Sequence, residues 1–65
     1  MQHNEFRFNL RRERERKHLK RTILSQLAGL DGEAIREYEE GIREPTLSSI
    51  YAIADALDIP ASKLI

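Results

Sequence analysis

Sixty-five residues allow one domain with a small core, and the absence of cysteine excludes a disulfide framework or thiolate-bound metal and fits a reducing cytoplasm. No apolar run approaches the roughly 20 residues of a membrane span, and the opening MQHNEFRFNLRRERER has no apolar signal-peptide core. Formal charge cancels unevenly: residues 1–21 carry eight Lys/Arg against three Glu, while residues 22–65 carry three against eight. Neutrality therefore does not exclude nucleic acid, because a basic end can meet phosphates while the other end stays acidic. The plainer alternative is a solvated helix laced with Glu–Arg pairs.

Five helical segments follow one another with short connections and no internal repeat, so the expected fold is all-α, a compact five-helix bundle in one domain over 1–65. The first covers roughly residues 5–17, with Phe6 and Leu10 as its apolar stripe and RRERERK as its polar surface. The second, about 21–28, sets Leu24 and Ala28 on one face and stops at Gly29. Asp31 is the expected N-cap of the third, about 32–40, because its carboxylate can accept the free N–H groups of a first turn. Glu33 then lies where the helix dipole favours negative charge. Ile35 and Tyr38 form the apolar side, and Gly41 supplies a left-handed stop. The fourth, about 46–57, follows Pro45 and is capped by Thr46. Leu47, Ile50, Ile53, Ala54 and Leu57 recur on one of its faces. Pro60 opens a short fifth helix, 60–64, since proline is tolerated in a first turn.

Only GLD connects the second and third segments, and two short helices joined by a tight glycine turn form a helix-turn-helix unit. Around it stand Leu24, Ser25, Ala28, Gly29 and Leu30, then Ile35, Tyr38, Glu39, Gly41, Arg43, Pro45, Thr46 and Leu47. Ile53, Ala54, Ala56, Leu57 and Ile59 complete the pattern. Over about residues 6–65 it resembles the Cro/CI-type phage-repressor helix-turn-helix family, the lambda-repressor-like regulators of prokaryotic transcription. The resemblance implies a third helix in the major groove, with Gly32, Glu33, Ala34 and Glu37 facing bases. It implies backbone contacts at Arg21 and Arg43, and an Arg14–Glu39 pair tying the first helix to the third; Lys20 and Arg36 are further candidates for the DNA backbone. The chain departs from the family where Arg21 replaces a usual glutamine, Glu40 a common asparagine and Ile42 a common lysine. Ile23 and Leu27 stand at usually polar positions.

The acidic stretch DGEAIREYEEG leaves two readings open. In the first, the third helix reads double-stranded operator DNA: glutamate accepts from the cytosine N4 amino group, Ala34 touches a thymine methyl, and the basic rim holds phosphates. Arg11 and Lys17 along helix one are further candidates for that rim. In the second, the Glu33–Glu37–Glu40 face meets a protein partner, and Ile23 with Leu27 adds an apolar patch. The bland reading of Ile23 and Leu27 is an i,i+4 pair packed on the long side chains of helix one.

Catalysis finds no support. His3 falls in an expected frayed start and His18 in a turn, and neither stands with a paired base, nucleophile or metal-ligand spacing. No cofactor is expected. The reading is a transcription regulator acting in the cytoplasm as a homodimer. The expected dimer contacts are Ile42 and its loop, or Ile59, Leu64 and Ile65.

Overall fold

The protein is described here by a computed structural model covering residues 3–65, with side chains from Glu5 onward. Its elements are α1 (His3–Arg16), α2 (Arg21–Leu27), α3 (Ala34–Glu39), α4 (Leu47–Leu57) and a 3-10 turn (Ala61–Lys63). No strand occurs among the described residues. The chain is therefore all-helical, with four α-helices where five were expected. The last segment closes only as a 3-10 turn, after Pro60 in extended backbone. The backbone of His3 opens α1; its imidazole lies outside the described residues.

One core joins the elements: Phe6 and Leu10 from α1, Leu24 from α2, Ile35 and Tyr38 from α3, and Ile50, Ile53, Ala54 and Leu57 from α4, with Leu64 after the 3-10 turn. Each large apolar side chain buried there contributes about 1.5–3 kcal/mol against the entropy of ordering a short chain. Phe6 meets Tyr38 edge to face at 5.8 Å and 81°. The Tyr38 hydroxyl donates to Ser49 Oγ at 3.1 Å, which satisfies its polar end inside the core.

Three expectations about exposure are corrected. Leu47 shares the apolar face of α4 by periodicity but is 64% exposed, because it opens the helix beyond the end of the core. Leu64, expected as a dimer contact, is fully buried, and Asn9 Nδ2 on α1 donates to its carbonyl at 3.2 Å. Ile23 and Leu27, expected as a pair packed on helix one, are both exposed. The buried residues of α2 are Leu24 and Ser25.

The breaks follow local chemistry. Gly29 at φ 71° and Gly41 at φ 75° adopt left-handed backbone that a Cβ would strain. His18 takes φ 57° after α1, a geometry histidine accepts better than most residues. Thr46 Oγ1 accepts the Ser49 N–H at 3.0 Å and caps α4.

The start of α3 differs from expectation. Asp31 Oδ1 accepts the Glu33 N–H at 3.1 Å, and the Asp31 carbonyl accepts from Ala34 at 3.1 Å. Aspartate closes a turn through its own side chain, so regular helix begins only at Ala34. The next orphan donor, the Ile35 N–H, is met by Ser25 Oγ from α2 at 3.3 Å. A hydroxyl of one helix thereby caps the other and fixes the angle between α2 and α3.

Candidate nucleic-acid interface

The anchor of this face is buried. Arg14 on α1 donates through Nε to Glu39 Oε2 at 2.6 Å and through Nη2 to Glu39 Oε1 at 3.0 Å. Its Nη1 donates to the Leu19 carbonyl at 2.8 Å. The Glu39 side chain is 1% exposed and that of Arg14 is 11% exposed. The fork-to-fork geometry is that of a strong charge-assisted pair. Hydrogen bonding to Glu39, outweighing burial, holds the Arg14 pKa above the ordinary guanidinium value.

From that anchor a row of alternating charge runs outward. Arg21 Nε donates to Glu39 Oε1 at 3.1 Å, and its Nη1 lies 3.7 Å from Glu40. Arg36 reaches Glu40 at 3.0 Å, Glu33 at 2.6 Å and Glu37 at 3.6 Å. Arg43, in the loop after α3, reaches Glu37 at 2.7 Å and Asp31 at 3.0 Å. The acids of the third-helix region are thus interleaved with four arginines rather than bare. Outside the buried anchor these pairs are exposed or only part-buried, and solvent screening leaves each a weak contributor to stability. They order the guanidinium groups more than they stabilise the fold. Hydrogen bonds from Arg43 hold the Asp31 pKa below the ordinary aspartate value. Asp31, then Glu37, raise that of Arg43.

Of the side chains expected at bases, Gly32 and Glu33 are exposed in the turn before α3, and Glu37 follows Glu33 by one turn, half-buried. Ala34 is a correction. It is fully buried in the core, so it has no surface for a thymine methyl. Of the cations expected at phosphates, Arg21, Arg36 and Arg43 lie along the charge row, and Lys20 is exposed just before α2.

A cavity of about 80 Å³ between α1 and the loop after α3 is lined by Phe6, Arg7, Tyr38, Gly41 and Arg43, among others. It is far below the roughly 300–1,000 Å³ of a small-molecule site. Among the described residues no group of His, Asp and Glu has a metal-holding arrangement. Among the described residues no helix is long and apolar enough to cross a membrane.

Residues 10–64 match the helix-turn-helix family. The chain belongs to the Cro/CI-type helix-turn-helix family. It is similar over its length to the restriction-modification controller protein C.AhdI from Aeromonas hydrophila, at 35% identity and a TM-score of 0.91. The match covers 97% of this chain and 96% of that one. No curated protein matches the chain. Cro/CI-type proteins are DNA-binding transcription regulators, and the helix-turn-helix of this member is α2, the turn at Gly29 and α3.

Two features of this helix-turn-helix protein were not read from its sequence. The Asp31–Arg43–Glu37 cluster joins the turn before α3 to the loop after it, across 12 positions that no helical period connects. The exposed Leu47 and Tyr51, one turn apart on α4, carried a signal in their i,i+4 spacing.

Proposed function

We propose that residues 1–65 act as one helix-turn-helix domain that binds operator DNA sequence-specifically, as a homodimer, with α3 in the major groove. The observation that carries this reading is the α3 face itself. Gly32 leaves room for close approach, Glu33 and Glu37 present carboxylates one turn apart, and Arg21, Arg36 and Arg43 flank them. The carboxylates accept from cytosine N4 amino groups in the groove, and the arginines with Lys20 take phosphates at its rim. Leu47 and Tyr51 on α4, Ile42 in the loop and Ile65 are exposed apolar side chains available to a second copy. The full-length likeness to a restriction-modification controller supports control of transcription by a small protein in the cytoplasm.

The alternative, an acidic α3 that docks a protein, is less supported. Asp31, Glu33, Glu37, Glu39 and Glu40 each already have an arginine partner. A basic partner would have to displace those arginines for little net charge.

Selection of random duplex DNA by the purified chain at low salt tests the proposal, because weak phosphate binding is lost as ionic strength rises. The expected pool carries a near-palindromic motif, with half-sites about one helical turn, roughly 34–36 Å, apart. A pool without any motif would overturn sequence-specific recognition, and a motif without symmetry would overturn the dimer.

A further inference from the structure

We propose that Asp31 is a specificity-determining residue. With Glu37 it holds the Arg43 guanidinium as an internal counter-anion that a DNA phosphate must displace, so generic duplex is penalised. The inference rests on the DNA-binding reading above.

The guanidinium of Arg43 is engaged on three sides. Its Nε donates to Glu37 Oε1 at 2.9 Å, its Nη1 to Asp31 Oδ2 at 3.0 Å, and its Nη2 to Asp31 Oδ1 at 3.4 Å. Its carbon also lies 5.5 Å from the centre of the Tyr38 ring, where the ring face attracts a cation. A solvent-exposed arginine ordinarily gathers dissolved anions and sheds nothing of its own when it meets phosphate. This one carries two carboxylates from the face that would approach DNA.

The contacts are at the surface, and exposed ion pairs are individually weak, so a phosphate can exchange for a carboxylate. The exchange leaves Asp31 and Glu37 beside a polyanion. There each must either take up a cation from solution or accept a hydrogen bond from a base amino group. Taking up a cation opposes the counterion release that drives non-specific binding. Finding a base amino group is possible only on a sequence that puts one within reach. Generic duplex therefore bears the penalty, and a site with suitably placed cytosines escapes it. Discrimination arises from what the wrong sequence leaves unsatisfied, not only from what the right one supplies.

Asp31→Asn tests the effect, because asparagine keeps an oxygen to accept the Glu33 N–H and loses the charge together with the second oxygen that accepts from Arg43 Nη1. The experiment measures binding of the wild-type 65-residue chain, Asp31→Asn, Arg43→Ala and the double variant to a fluorescent random-sequence duplex across a salt series. Circular dichroism melts establish that each is folded. Loss of one carboxylate from this face steepens the slope of log affinity against log salt by about 0.9. The advantage of Asp31→Asn over wild type then grows about 3–4-fold between about 200 mM and about 50 mM salt. In the Arg43→Ala background the advantage disappears.

Equal slopes for wild type and Asp31→Asn, or weaker binding by Asp31→Asn, would overturn the proposal. So would a gain that survives in the Arg43→Ala background, since that is through-space repulsion without a latch. If wild type and every variant leave the duplex free at the lowest salt, the DNA-binding reading fails, and this inference with it.

Discussion

Replacing Glu39 with alanine strands Arg14. The Arg14 side chain is 11% exposed, and two of its three hydrogen bonds end on the Glu39 carboxylate. Removing one partner of a buried ion pair costs about 3–5 kcal/mol, because the remaining charge has lost both water and its counter-ion. Here Nη1 keeps the Leu19 carbonyl and a little solvent reaches the group, which sets the expectation at the low end, about 3 kcal/mol. Domains of this size hold roughly 0.05–0.15 kcal/mol per residue, so the loss takes a large share of the total. At about 4–8 °C per kcal/mol, the melting temperature falls by about 12–24 °C.

Urea unfolding followed by circular dichroism at neutral pH measures the change, with Glu33→Ala as an exposed control expected within about 0.5 kcal/mol of wild type. The Glu39→Ala deficit persists at high salt, because a buried pair is screened far less than a surface one. The combination Arg14→Met with Glu39→Leu recovers part of the loss, since no charge is left buried, although the Leu19 carbonyl loses its donor and Arg21 one acceptor. A Glu39→Ala protein within about 0.5 kcal/mol of wild type would refute the reasoning, as would a deficit that vanishes with added salt.

Other outcomes follow from the same row of charge. Arg21→Ala weakens binding to operator and random duplex alike and flattens the salt slope by about 0.9, measured by anisotropy across a salt series; a loss confined to the operator would contradict a phosphate role. Glu33→Gln relaxes or switches preference at one base pair by about 1–3 kcal/mol, read by repeating the duplex selection; an unchanged motif would leave Glu33 idle. The Asp31 carboxyl, held down by Arg43, titrates below the ordinary aspartate value of about 3.9. A depressed folded-state pKa contributes stability that is complete above the unfolded pKa and is lost as pH falls through the folded one. Carboxyl NMR titration detects this, and Arg43→Ala moves the Asp31 pKa upward while the Glu33 N–H still holds it down in part; no upward movement would deny the contact.

The periodic apolar residues and the turn chemistry made most of the fold legible in the sequence. Leu24, Ile35, Tyr38, Ile50, Ile53, Ala54 and Leu57 recur at helical spacing and are buried. Gly29, Gly41 and Thr46 end or begin helices for reasons carried by the residues themselves. Periodicity is blind to where a stripe runs off the core, as it does at the exposed Leu47. It is equally blind to a residue just outside a regular helix, as with Leu64, which reaches the core from after a 3-10 turn. Ala34 failed for a related reason. Its position in the family pattern suggested the groove, but the first turn of α3 lies against α2, where Ser25 caps the neighbouring N–H. The Arg14 and Glu39 positions came from family resemblance. The Arg36–Glu40 link has ordinary i,i+4 spacing, but the links of Arg21 to Glu39 and of Arg43 to Glu37 and Asp31 needed coordinates, because charge pairing across loops leaves no periodic trace.

That continuous row has a consequence for redesign. In the proposed reading Glu33 and Glu37 choose bases, and the same two carboxylates are partners of Arg36 and Arg43. Recoding either carboxylate therefore releases or recaptures an arginine at the same time. The energies of changes along the row will not add, since residues in one ion-pair network are coupled. A library that varies the two glutamates alone samples altered sequence preference mixed with altered overall grip. Varying each glutamate together with its arginine separates the two, and it is the smaller set of variants in which a new operator preference becomes interpretable.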